Sequence, residues 1–288
     1  MDLDLERLSQ HAIAAAEAAA AVIRSYCEQD VDVAHKPTGD SEASQVVTEV
    51  DHAAQRVIIE TLAPTLSGDG IALLAEESTD DGSRFEQPAF WSIDPMDGTL
   101  AFIRKQAGYA VSIALVSRQG DHLLGVVYDP VSRDRYHAVR GGGAFLNDQP
   151  LESPPLDKSA PLVLCADISF ARHERLQETR EAFDEIAAAL GLSGSTIDLR
   201  IGAVMNALSA LGEPNHCYFK YPRRDDSGGS LWDYAATACI VSEAGGVACD
   251  AYGEAMDLNR RGSTFMNHRG VLYAPSDAVA QAIIERMR

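Results

Sequence analysis

The stretch Trp91-Ser-Ile-Asp94-Pro-Met-Asp97-Gly-Thr99 constrains this chain more than any other. The apolar run just before it, AFWSI at 89–93, reads as a strand, and Pro95 and Gly98 read as its end. Proline fixes φ and removes a backbone donor, and glycine permits a tight turn, so Asp94 and Asp97 should project together from one strand end. Hard cations such as Mg²⁺ need clustered oxygen ligands, and two of them about 3.5 to 4 Å apart form a clamp for phosphoryl transfer. Asp94 and Asp97 could bridge such a pair, with the Met96 carbonyl and the Thr99 hydroxyl as neutral oxygens. A plain surface turn would use the same residue types. An EF-hand would not, because its ligands are spaced two apart.

Three further acidic sites stand near predicted strand or helix ends. Glu76 and Glu77 follow the apolar run IALLA at 71–75, and adjacent carboxylates repel unless a cation, a proton or open solvent intervenes. Asp233 lies three residues after Ser230, a capping-box spacing at a helix start, and Thr48-Glu-Val-Asp51 has the same spacing. A helix N-terminus also favours anions, so either place suits a cap or a phosphate. The glycine run Gly141 to Gly143 lacks G-K-[ST] and reads as a tight turn, not a P-loop. There is no G-x-S-x-G and no H-E-x-x-H, and the eight histidines show no ligand spacing. His52 and His173 fall in predicted helices as surface residues.

Around these residues the pattern alternates between helical and strand-like segments. Helices are expected over 5–27, 48–63 with Thr48 as N-cap, about 171–190, 202–211, 231–244 and near the C-terminus. Strands are expected at 71–75, 89–93, 109–117, 122–128, 135–139, 162–166 and 217–221. The polar segment HKPTGDSEASQ, at 35–45, reads as a mobile loop. At roughly 100 to 200 residues per domain, 288 residues suit two halves. The Pro- and Ser-containing ESPPLDKSAP, from 152, is the best boundary, which divides the chain into 1–153, with most of the acidic candidates, and 154–288, with Asp233.

Charge narrows the partners. Lys and Arg total 24 against 43 Asp and Glu, a formal net charge of −19. Such a surface repels nucleic-acid backbone and anionic lipid, so neither a polymer nor a membrane is expected as partner, whereas a small phosphorylated metabolite is compatible with local cations. Those cations are Arg104 and Lys105 after the aspartate loop, and Lys220, Arg223 and Arg224 before Asp233; each cluster could equally be a solvated turn. Five scattered cysteines without C-x-x-C, an acidic start and no long apolar run point to a cytoplasmic protein.

In chain order, VVTEVD (46–51), LLAEES (73–78), WSIDPMDGT (91–99), YAVSIAL (109–115), GVVYDP (125–130), GGGAFLN (141–147) and LWDYAATACIVSEAGG (231–246) resemble the inositol monophosphatase superfamily of Mg²⁺-dependent, lithium-sensitive phosphatases. The resemblance implies an α/β fold, a layered α-β-α-β-α sandwich of two halves with largely antiparallel or mixed sheets and the active site between them. It implies Glu76, Asp94, the Met96 carbonyl, Asp97 and Asp233 as ligands of two or three Mg²⁺ ions. Asp51, Glu77 and Thr99 would be the catalytic groups that orient the attacking water, and the backbone at Gly98 and Thr99 would meet the phosphate. A homodimer is compatible with it. Gln55 stands where many relatives carry Glu, and LAFIRKQAGYAV (100–111) replaces the usual N-F-x-x-G-x-P. That segment, with YFKYPRRDDSGGSLWDYAA (218–236), is closer to bacterial 3'(2'),5'-bisphosphate nucleotidases. The expected substrate is therefore 3'-phosphoadenosine 5'-phosphate, with inositol 1-phosphate or fructose 1,6-bisphosphate as alternatives, and a catalytically silent metal-binding protein as the rival from another class.

Overall fold

The computed structural model describes residues 3–27, 33–35, 46–225, 228–266 and 268–287, and most of the segment expected as a mobile loop, 36–45, lies outside them. Helix α1 (Leu5–Tyr26) opens on Asp4, whose carboxylate accepts the Arg7 amide. Its buried stripe is mostly alanine: Ala12, Ala15, Ala16, Ala19 and Ala20. Small side chains at helical spacing let α2 (Glu49–Gly68) lie close alongside. α2 runs past its expected end at 63, with Pro64 inside it. Tertiary contact overrides the local rule there, because buried Thr65 accepts a 2.8 Å hydrogen bond from the Trp91 indole of the neighbouring sheet.

That sheet has seven strands in the order of the chain: β3 (Ala72–Ala75), β4 (Ala89–Asp97), β5 (Ala110–Ser117), β6 (His122–Tyr128), β7 (Arg135–Val139), β8 (Gly143–Leu146) and β9 (Gln149–Leu151). Only β3 and β4 run parallel. A short antiparallel pair, β1 (Val33–His35) and β2 (Val46–Thr48), precedes α2. The second sheet has the order β11-β10-β12-β14-β13, built from β10 (Leu162–Asp167), β11 (Ser195–Arg200), β12 (His216–Lys220), β13 (Val247–Cys249) and β14 (Val271–Ala274), and it mixes parallel and antiparallel pairs.

Five layers result. Alternate residues of β4 serve two cores: Trp91 and Ile93 pack under α1 and α2, and Phe90 faces the opposite layer. In that central layer α5 (Ala203–Gly212) and α6 (Leu231–Glu243) bring Val204, Leu208, Ala235 and Ile240 against both Val116 of the first sheet and Tyr218 and Tyr273 of the second. Outermost, α4 (Leu176–Leu190) and α7 (Asp277–Met287) set Phe183, Ile186 and Ile283 on Leu164 and Leu272. The α-β-α-β-α order matches the expectation. No helix among the described residues is long and apolar enough to cross a membrane.

Several local expectations need correction. β4 does not stop at Pro95 but continues to Asp97, with its register against β5 shifting between Asp94 and Asp97. The proline sits in this bulge, where the ladder needs no donor, and Gly98, at φ +82°, makes the turn into α3 (Thr99–Ile103). The helix expected from 171 begins at Leu176, after a 3₁₀ turn over Ile168–Arg172. His173 is therefore not helical; it packs against both Phe170 and Tyr221, which also approach each other. His52 is exposed on α2, as expected. All five cysteines are free.

Candidate active site

The N-terminal ends of four helices meet beside the carboxyl end of β4. Asp51 is the third residue of α2 and closes a capping box: one oxygen, Oδ2, accepts the Thr48 amide at 2.7 Å and the Thr48 hydroxyl at 2.6 Å. The other, Oδ1, lies 3.0 Å from Thr99 Oγ1 at the start of α3. Thr99 Oγ1 is also 3.2 Å from the Met96 carbonyl, so its one proton faces two acceptors and its lone pairs remain for a third group. Burial raises the Asp51 pKa, against the pull of its Thr48 hydrogen bonds.

Asp97 is held by the start of α5. The Ala203 and Val204 amides, the first two of α5, donate to its two oxygens at 3.2 and 2.8 Å. These are N–H groups that the helix itself leaves without partners. Gly202 makes this approach fit, since a Cβ there would stand 2.0 Å from the Gly108 carbonyl and 3.1 Å from Asp97 Oδ2. Asp233, in the first turn of α6, accepts the Ser230 amide at 2.7 Å. Asp94 is buried and accepts the Met96 amide at 3.0 Å.

Asp94, Asp97 and Asp233 converge, each offering a carboxylate oxygen within 4.8 Å of the others. Without a counter-charge the arrangement is costly. Burial, then repulsion from Glu76, Asp233 and Asp97, raises the Asp94 pKa well above the carboxylate range. Burial and Asp233 do the same to Asp97, and burial with Glu76 pushes Asp233 up to about 7. Parallel pairing explains why Glu76 takes part: Ala75 is registered with Ile93, so the next residues, Glu76 and Asp94, emerge side by side. Glu77 follows in the same turn, half-buried.

The basic candidates are placed differently from the sequence expectation. Lys220 is paired with Asp167 at 2.7 Å, and Asp167 also accepts from Tyr218 and Asn206, each at 3.2 Å. Burial opposes the ammonium charge, yet Asp167 and nearby acidic groups hold the Lys220 pKa above its ordinary value. Arg223 is exposed and pairs with Asp225 at 2.9 Å. Arg104 and Lys105 are exposed just beyond α3. Sequence reasoning missed Asp167 and the α5 amides. Gly202 ahead of an apolar helix was the available signal for the latter.

A five-layered α/β chain with an all-oxygen acidic centre at converging helix ends is the architecture of a phosphatase of small phosphate esters. The model of the inositol monophosphatase family matches residues 4–288, and the chain belongs to that family. An inositol-1-monophosphatase of Mesorhizobium japonicum is 30% identical over 280 residues, covering 96% of this chain and 93% of that protein. The Nus factor SuhB of Pasteurella multocida is 32% identical over 248 residues, 84% of each chain. Among solved structures, the extragenic suppressor protein suhB from Bartonella henselae matches with a TM-score of 0.74 at 22% identity over 98% of both chains, which shows the shared fold.

Proposed function

We propose that this phosphatase is Mg²⁺-dependent and hydrolyses a 3'(2'),5'-bisphosphate nucleotide, foremost 3'-phosphoadenosine 5'-phosphate. The convergence of Asp94, Asp97 and Asp233 carries the catalytic part of this reading. Three carboxylates with raised pKa values, Asp94 buried and Asp97 and Asp233 half-buried, a neighbouring Glu76 and no nitrogen or sulfur donor form a set that suits a hard cation. Glu76, Asp94, the Met96 carbonyl, Asp97 and Asp233 would hold two or three Mg²⁺ ions. Bound there, Mg²⁺ supplies charge neutralisation at the phosphoryl and leaving oxygens.

The chain's own groups organise the nucleophile. A water that donates to Thr99 Oγ1 is connected through that hydroxyl to Asp51 Oδ1, a buried carboxylate poised to accept the proton. Glu77, in the turn after β3, would be a second acceptor. The backbone at Gly98 and Thr99, where α3 begins, meets the phosphate. No covalent phosphoenzyme is needed. A silent member of the fold would be expected to lack a ligand or the threonine, and all of these positions are filled. The free cysteines fit a cytoplasmic setting.

For the substrate, the exposed Arg104 and Lys105 just past α3 support a second anionic group. A specific observation favours inositol 1-phosphate as the second reading: Lys220 and Arg223, two of the cations expected to meet a second phosphate, already have acidic partners. Values of kcat/KM for 3'-phosphoadenosine 5'-phosphate, inositol 1-phosphate and fructose 1,6-bisphosphate, measured side by side with Mg²⁺, test this. Preference for the nucleotide supports the proposal, and preference for inositol 1-phosphate replaces it with the second reading. Phosphate release should also fall in millimolar Li⁺ but not in equal Na⁺ or K⁺, since equal effects would mean only ionic screening.

A further inference from the structure

We propose that Gln55 is a positioning residue that fixes the Glu76–Glu77 turn to the helix that also holds Thr99. The inference rests on the catalytic reading above. Gln55 lies four residues after Asp51 on α2, so the two side chains stand one above the other on one helix face. Both are buried, Asp51 at 1% exposure and Gln55 at 6%. Asp51 reaches Thr99, and Gln55 reaches the acidic turn. Its Oε1 accepts the Glu77 amide at 2.9 Å, and its Nε2 donates to Ser78 Oγ at 2.8 Å. The backbone amide can only donate, so the amide oxygen must face Glu77 and the NH₂ group Ser78.

The turn is thus tied from two directions. The Glu76 amide donates to the Ile93 carbonyl at 3.1 Å, which anchors it to β4, and Gln55 anchors it to α2. Without the second tether, repulsion from the aspartate cluster would drive the two glutamates outward. The groups assigned to orient the attacking water then hang from successive turns of one helix: Thr99 through Asp51, and Glu77 through Gln55. Their separation is set by a four-residue rise of about 6 Å.

The test compares Gln55→Ala with Gln55→Glu at saturating Mg²⁺. Gln55 does not touch substrate, so Gln55→Ala should lower kcat about 10- to 100-fold with KM little changed. It should also weaken Mg²⁺ binding to the substrate-free protein about 10-fold, read by calorimetry with the metal alone, because Glu76 shares the turn. Gln55→Glu keeps an acceptor for the Glu77 amide, and the Ser78 hydroxyl can rotate to donate, so most of the rate should return. A lower Tm for Gln55→Ala with wild-type kcat and Mg²⁺ affinity would overturn the inference, as would equal kcat losses in both variants. Asp94→Asn, made in parallel, separates the two failures. If it loses turnover while Gln55→Ala does not, only the positioning role is wrong; if it retains turnover, the catalytic reading itself fails.

Discussion

The Thr99 hydroxyl stands 3.0 Å from Asp51 Oδ1, a contact that joins the first turns of two helices 48 residues apart in the chain. Because the opposite oxygen of Asp51 is occupied by Thr48, the carboxylate cannot turn away. A hydroxyl so placed acts on the nucleophile mainly in the transition state. Thr99→Ala should therefore lower kcat and kcat/KM together by about 10²-fold or more, and Thr99→Ser should keep much of the rate. If Thr99 served only to start α3, the alanine variant would instead cost about 1 kcal/mol of stability and leave kcat intact. Kinetics beside melting curves distinguish the two outcomes.

The aspartate cluster predicts how metal and pH interact. In the metal-free chain, burial and mutual repulsion raise the pKa values of Asp94, Asp97 and Asp233, the last to about 7. In the unfolded chain these groups have ordinary values near pH 4. Between about pH 4 and 7 the unfolded chain releases protons that the folded chain retains. This contribution to stability is fully present below pH 4 and is lost as the pH rises through 7. Cations take over the protons' role, so the rise in Tm on adding Mg²⁺ should grow from pH 5 to pH 8. Scanning fluorimetry with EDTA or Mg²⁺ across that range is the check; a Tm rise independent of pH would separate the cluster from metal binding.

Much of the site is legible because it is local. Thr48 with Asp51 and Ser230 with Asp233 are capping spacings that need no tertiary knowledge, and both capping boxes form. Asp94 and Asp97 are marked by the strand before them and the glycine after. What escaped depends on distant parts of the chain. Pro95 reads locally as a stop, but β5 continues to pair beyond it and turns the stop into a bulge. β11, Ser-Thr-Ile-Asp-Leu-Arg at 195–200, is an edge strand whose alternation rests on two apolar residues only, Ile197 and Leu199, too short a signal to announce it. The partner of Lys220 comes from the end of β10, a neighbour only once the sheet has formed. Glu76 joins Asp94 through parallel pairing of β3 with β4, which residue spacing does not reveal.

Gly202 tests the coupling between the two sheets and the acidic centre. It has φ +97°, and an added Cβ would meet the Gly108 carbonyl at 2.0 Å. Gly202→Ala must strain the backbone and push the start of α5 away from Asp97. The combined conformational and packing cost is about 2 to 5 kcal/mol. Because the Ala203 and Val204 amides move with the helix start, Mg²⁺ affinity should fall as well. Denaturation and metal titration of the variant would read both. A stable variant with wild-type Mg²⁺ binding would show that the α5 amides do not help to place Asp97.

Substrate choice rests on the cations around the site, and the structure separates them. Arg104 is exposed at the end of α3. A charge-assisted contact to a second phosphate is worth about 1.5 to 3 kcal/mol, so Arg104→Ala should lower kcat/KM for the bisphosphate nucleotide roughly tenfold to a hundredfold. Inositol 1-phosphate, which has no second phosphate, should be little affected. Lys220 is different, because its charge is shared with Asp167 and also eases the ionisation of Asp233. Lys220→Ala alone should therefore slow both substrates. Replacing Lys220 and Asp167 together leaves the net charge of the site unchanged, so the double variant isolates recognition from field. A loss confined to the bisphosphate in the double variant would assign Lys220 to the second phosphate. Equal losses on the two substrates in Arg104→Ala and in the double variant would remove the basis for a nucleotide substrate, leaving inositol 1-phosphate or another monophosphate.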